Sequence, residues 1–160
     1  MADQPLHFAR GLWSQVLQDL RARGEDRHEA GAFLLGPIDS KNRLVTQAIY
    51  YDELDANAYS TGACVLYADA FEELWRLCRQ RNLRAVADIH THPGSPGQSP
   101  VDRENPMVAR AEHIAIIVPD FARPPVWRHR LGLYCYLGAH RWTDCSGWRA
   151  RHWLQTGTLR

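Results

Sequence analysis

The sequence predicts a single mixed α/β (α+β) domain spanning residues 1–160, with one layer of sheet packed against helices. Three observations predict it. Short apolar runs bounded by Gly and Pro read as buried strands. Two segments carry apolar residues at helical spacing. A chain of 160 residues is enough for one sizeable core.

The elements follow in order. Residues 11–23 place Leu12, Trp13, Val16, Leu17 and Leu20 at helical spacings and stop at Gly24. The apolar run inside residues 29–37 predicts a buried strand. Residues 43–51 predict a second strand, joined to it as a hairpin by the polar turn at 39–42. Residues 52–62 read as a loop and 63–67 as a short strand. Asp69 is expected to cap a helix from Ala70 to about Asn82, with Phe71, Leu74, Trp75 and Cys78 on one face. Leu83 to Ile89 reads as a strand, residues 105–111 as a short helix, and residues 112–118 and 131–137 as strands. Residues 141–143 are expected to pair back across Gly138 and Ala139. The segment holding Trp148 and Trp153 fits a strand or a short helix equally.

Composition narrows the function classes. The formal net charge is +1, which calls for neither a nucleic-acid nor a membrane partner. No apolar run approaches a membrane span. The first residues show no basic segment followed by an apolar one, so a secretory leader is not expected. Cys64, Cys78, Cys135 and Cys145 are scattered, which fits reduced thiols and a cytoplasmic setting. Charge is uneven: one lysine, Lys41, stands against eighteen arginines. From Phe121 onward there are seven arginines and one acid, Asp144. That segment reads either as a solvated basic face or as a docking surface for an acidic partner.

The chemistry is concentrated in residues 88–102. His90 and His92 follow the strand, and residues i and i+2 of an extended chain point the same way. Their imidazoles can therefore aim at one point, and the loop after them can return Asp102 as a third ligand. Two nitrogens, one carboxylate and an open fourth position make the inner shell of a catalytic zinc, one ion per chain. Asp88 shares that face. Its expected role is acceptor for an imidazole N–H, with direct ligation as the alternative. Amide hydrolysis also needs a base and an oxyanion donor. Glu29, at the mouth of the first strand and followed by Gly31, is the candidate base. Ser99, three residues before Asp102, is the candidate donor.

Together these blocks resemble the JAMM (JAB/MPN, Mov34/PAD-1) zinc metalloprotease family. The matching residues are Glu29 with Gly31, Leu34, Leu35 and Gly36, then His90-Thr91-His92-Pro93, then Ser99-Pro100-Val101-Asp102. The loop from His92 to Ser99 is one residue shorter than the family's usual loop, and the Ser-x-x-Asp spacing is kept. The resemblance implies a curved mixed β-sheet flanked by helices and zinc on His90, His92 and Asp102. It implies Glu29 as general base and then general acid, and Ser99 polarising the scissile carbonyl. Family members cleave bonds after the C-terminal tail of ubiquitin or ubiquitin-like proteins. The chain is closest in size to small bacterial members that accompany activating and conjugating enzymes, often in antiviral defence.

The expected activity is thus a zinc isopeptidase that removes a ubiquitin-like protein from targets or trims its precursor. Its partners would be that protein, its conjugates and the cognate activating and conjugating enzymes. The alternatives are a protease for a β-grasp sulfur carrier, a non-catalytic scaffold and a nucleic-acid-associated relative.

Overall fold

The computed structural model describes residues 4–157. In chain order they form β1 (Leu6–Phe8), α1 (Leu12–Gly24), β2 (Gly31–Pro37), β3 (Arg43–Val45), β4 (Gln47–Tyr50) and α2 (Tyr51–Leu54). Then follow α3 (Ala68–Arg81), β5 (Leu83–Thr91), α4 (Pro100–Glu104), β6 (Ile114–Val118), β7 (Gly132–Gly138), β8 (Arg141–Asp144), α5 (Ala150–Trp153) and β9 (Leu154–Gln155).

The main sheet has the order β4-β2-β5-β6-β7-β8. Its neighbours are antiparallel except β5 and β6, which run parallel. The central strands read as continuous apolar runs because both faces are covered. All five residues of β6 are buried. Side chains alternate between two cores. Ala32 and Leu34 join Val16, Leu20, Ile89 and Ile116 on the α1 side. Phe33 and Leu35 join Leu74 and Cys78 on the α3 side. Leu74 is fully buried, so truncating it to Ala is expected to cost about 2–5 kcal/mol. The observed architecture is therefore the expected one, a mixed sheet flanked by helices.

Several local expectations are corrected. The strand at 43–51 divides at Thr46, whose N–H donates to Leu35 O at 2.8 Å. β4 keeps the hairpin with β2, while β3 leaves for a second, parallel sheet of order β3-β1-β9. β1 is only three residues long and carries no periodic signal. Residues 63–67 are irregular backbone. Helix α3 starts at Ala68, so Asp69 lies in its first turn and favours the helix dipole without capping it. The short helix expected at 105–111 lies instead at Pro100–Glu104, where Pro occupies the first helical position. The end of the chain forms both elements, α5 and then β9.

What matters for function is direction. β5 and β6 end together, and β2, antiparallel to β5, begins at that same end, where Gly31 pairs with His90. Among the described residues, no helix is long and apolar enough to cross a membrane.

Candidate metal centre

At this end of the sheet Ile89 points into the α1-side core, so His90 points to the opposite face. His92 continues that direction. Its N–H donates to Val118 O at 2.9 Å, which extends the pairing beyond β5. The two Nε2 atoms face each other at 3.0 Å. Asp102 arrives from α4. Its Oδ1 lies 3.5 Å from His90 Nε2 and its Oδ2 lies 3.4 Å from His92 Nε2.

The Ser-x-x-Asp spacing is explained by the helix it begins. Ser99 is the N-cap of α4, and its Oγ accepts from Asp102 N–H at 3.1 Å. In return Asp102 Oδ2 accepts from Ser99 N–H at 2.7 Å. This reciprocal capping box turns Asp102 toward the histidines and fixes its rotamer. Because Ser99 Oγ acts as acceptor here, its own proton remains available for donation. The shortened loop is held by Ser95 O, 3.2 Å from His92 Nδ1, and by Pro96 O, which accepts from Tyr134 OH at 3.2 Å. Gly132 is required here, because a Cβ would lie 2.0 Å from Pro96 O.

Glu29 precedes β2, and its neighbour Ala30 is fastened to Thr91, with Ala30 N–H donating to Thr91 Oγ1 at 3.0 Å and Thr91 N–H to Ala30 O at 2.9 Å. The carboxylate places Oε1 3.8 Å from His92 Nε2, while Oε2 accepts from Cys64 N–H at 3.2 Å. Gly31 lets the chain pass Tyr51, whose ring carbon would stand 2.3 Å from a Cβ at that position. The backbone of Cys64 is a contributor that sequence reasoning did not single out. Nothing in the motif marks it, since it lies 35 residues from Glu29.

The donor set fits a metal ion. Donor atoms of Glu29, His90 and His92 lie within 4.8 Å of one another. Nitrogen and oxygen ligands about 2.0–2.1 Å from a tetrahedral ion are about 3.3 Å apart. The two imidazole nitrogens lie 3.0 Å apart, and Asp102 presents a different oxygen to each, Oδ1 at 3.5 Å to His90 and Oδ2 at 3.4 Å to His92, all close to that spacing. Charge is distributed to match. Burial holds the His90 imidazole below its ordinary pKa, so it stays neutral as a ligand must. Burial also opposes charge on His92, but the Asp102 and Glu29 carboxylates outweigh it and raise its pKa. The same pairing, with the Ser99 bonds, outweighs the desolvation of Asp102 and pushes that carboxyl far below its ordinary range.

Asp88 does not serve either ligand. Its Oδ1 accepts from His113 Nε2 at 2.7 Å, with both side chains buried, and His90 Nδ1 is buried without a hydrogen-bond partner. Register explains the choice. Asp88 pairs with Ala115 on β6, and His113, two residues earlier, shares its face. Three arginines of the C-terminal segment have local partners. Arg128 donates to Leu154 O at 2.9 Å, while Arg123 and Arg130 lie near Asp26 and Asp120 at 3.7 and 3.9 Å. Arg160 lies outside the described residues.

No protein-family model matches the chain. A probable metalloprotease, y4jG of Sinorhizobium fredii, is 30% identical over 119 residues, covering 72% of this chain and 72% of its own. The chain belongs to the JAMM (JAB/MPN) metalloprotease family. The fold of this JAMM chain recurs in protein DSY2949 from Desulfitobacterium hafniense, with TM-score 0.59 and 18% identity over 88% of this chain and 90% of that one. It recurs again in a protein from Salinibacter ruber, with TM-score 0.52 and 20% identity over 87% and 88% of the two chains.

Proposed function

We propose that this chain, a metalloprotease by family, is a zinc isopeptidase that cleaves after the C-terminal tail of a ubiquitin-like protein. The observation that carries the hydrolytic part is the convergence of His90, His92, Asp102 and Glu29 at one end of the sheet. His90, His92 and Asp102 would hold the ion. Asp102 comes within 3.5 Å of both imidazoles, whereas Glu29 stands 3.8 Å from one of them. Bound there, zinc would supply the Lewis acidity that acidifies water and polarises a carbonyl.

The remaining steps belong to side chains. Glu29, oriented by Cys64 N–H, takes the proton of the attacking water as its oxygen bonds the scissile carbonyl carbon. Ser99 donates its hydroxyl hydrogen to the carbonyl oxygen as negative charge builds there. Glu29 then passes the proton to the nitrogen as the C–N bond breaks, releasing a carboxylic acid and an amine, which become carboxylate and ammonium once the remaining proton moves between them.

A cavity of about 700 Å³ opens beside Asp102, lined by Cys64, Val65, Leu66, Phe71, Val101 and Met107 among others. Its apolar lining and the irregular backbone of residues 64–67 suit an extended apolar tail. The ubiquitin-like substrate, the conjugating partners and the defence setting rest on the family resemblance.

The test uses the purified chain, zinc analysis and a ubiquitin-like conjugate with an isopeptide bond. Glu29→Gln is expected to keep about one zinc per chain and to lose roughly 10²–10⁴ in kcat. Cleavage at the unmodified rate would overturn the mechanism. Hydrolysis of ordinary peptides without preference for the conjugate would overturn the substrate.

A further inference from the structure

The opposite end of β5 holds a second site, unrelated to the peptidase. A cavity of about 250 Å³ is lined by Ser40, Lys41, Arg43, Arg84, Arg110 and Glu112, among others. Four separate segments deliver these residues. Ser40 and Lys41 come from the turn after β2, Arg43 from the start of β3, Arg84 from the start of β5, and Arg110 and Glu112 from the approach to β6.

The charges there do not balance. Leaving Arg43 aside, Lys41, Arg84 and Arg110 face Glu112, the one carboxylate of the lining among the described residues. Like charges gathered around one cavity oppose folding unless something compensates them. Burial chiefly, and the charges of Arg84 and Arg110 in addition, lower the pKa of the Arg43 guanidinium against the pull of Cys135 and Glu112.

The guanidiniums are also pre-positioned. Arg84 is held by one bond to Ser40 O at 3.2 Å and Arg110 by one to Ala85 O at 3.1 Å. Each has five N–H donors, so most remain for a ligand. Arg84 Nε is buried with no hydrogen-bond partner, a state that costs free energy unless a ligand relieves it. Glu112 sits in left-handed backbone at φ 71°, a conformation that concentrates at functional sites.

We propose that this cavity binds a small phosphate-bearing anion. Guanidinium forks match phosphate oxygens two at a time. A phosphate monoester carries about 1.5–2 negative charges at neutral pH, against an excess of about two positive ones here. A monocarboxylate would leave half of that excess uncompensated. The cavity's volume admits a phosphate with a small organic group and no folded partner.

The test titrates the full chain, as purified, with inorganic phosphate and with glycerol 3-phosphate at low ionic strength, read by calorimetry and ³¹P NMR. One saturable site per chain is expected, with a Kd of about 1 mM or tighter. Tighter binding of the ester would identify an organic phosphate as the ligand, and equal binding would identify the free anion. Arg84→Gln and Arg110→Gln are each expected to weaken binding about tenfold, the loss of one charge-assisted contact. Arg110 is exposed, so its variant tests the site even if Arg84→Gln fails to fold. His92→Ala is expected to leave the affinity unchanged, which separates this site from phosphate bound at the metal centre. Absence of saturable binding, affinity unchanged from the unmodified chain in both arginine variants, or loss of binding in His92→Ala would overturn the proposal. So would binding of an oligonucleotide with no response to inorganic phosphate.

Discussion

The two ends of β5 are built from one strand and select ligands of opposite sign. At its C-terminal end His90 and His92 meet Glu29 and Asp102, and the assembly suits a cation. At its N-terminal end Arg84 meets Lys41, Arg43 and Arg110, and the assembly suits an anion. Six residues separate Arg84 from His90, about 20 Å along an extended strand. The backbone ladder differs between the ends: residues 87–90 pair with both β2 and β6, whereas residues 83–85 pair with β2 alone, beyond a register shift. The set of loops that each end receives differs as well. A strand in the middle of a sheet is a rigid ruler, and chemistry is set by what its neighbours bring to each mark.

The largest expected effect breaks one end only. His92→Ala removes a nitrogen donor whose Nε2 stands 3.0 Å from that of His90. Bound zinc and peptidase activity should fall to background, measured by metal analysis and conjugate cleavage, while phosphate affinity stays as it was. Joint loss of both ligands would place the phosphate at the metal centre and overturn the second site.

Ser99→Ala should act within the metal end. It removes the hydroxyl proposed to donate to the carbonyl, so kcat is expected to fall about 10²–10³-fold. It also removes the N-cap acceptor for Asp102 N–H, at about 1 kcal/mol of stability. Thermal melts alongside kinetics separate the two effects. An unchanged kcat with a lowered Tm would leave Ser99 a cap and nothing more.

Asp88→Ala probes the middle of the strand. It strands the buried His113 Nε2, at an expected cost of about 1–3 kcal/mol by denaturant unfolding. Asp88→Asn, which keeps an acceptor, should recover most of it. Zinc content should not change, because Asp88 bonds His113 and neither ligand. Loss of zinc would restore Asp88 to the role that the strand pattern suggested.

The smallest effect is a pH dependence confined to the metal end. The raised pKa of His92 means that protons compete with zinc from above the ordinary histidine value, so zinc affinity should fall as pH falls. In metal-free protein the sign divides. His92, with its pKa raised by folding, stabilises at low pH and loses that contribution as pH rises through the folded value. Asp102, with its pKa lowered, stabilises above the ordinary carboxylate range and loses that contribution as pH falls. His90, with its pKa lowered by burial, opposes His92 and loses its contribution as pH falls below the ordinary histidine value, so the unopposed effect is that of Asp102: metal-free protein should lose stability as pH falls through the ordinary carboxylate range. Unchanged stability across that range in thermal melts would contradict this.

The metal end was legible in the sequence to an unusual degree. His90, His92, Ser99 and Asp102 lie within thirteen residues, and periodicity in a strand plus a capping box in a short helix are local rules. Glu29 was legible through Gly31 and the strand it precedes. Asp88 was placed on the right face and given the wrong partner, because His113 is adjacent only through the β5–β6 register. Cys64 was missed because its contribution is a backbone N–H, which carries no residue signature.

The sequence by itself determined a sheet packed against helices, both principal helices, the central strands and the placement of His90 and His92 on one face of β5. Those follow from hydrophobic period and from contacts between residues close in the chain. Only the tertiary structure decided where β3 goes after Thr46, that β1 and β9 pair with it and beside it, and that Asp88 answers to His113. It alone decided that one lysine and three arginines from four segments would surround a cavity. The reason is the same in each case. Pairing across long sequence separations depends on which surfaces remain after the core has packed, and a linear pattern does not contain that competition.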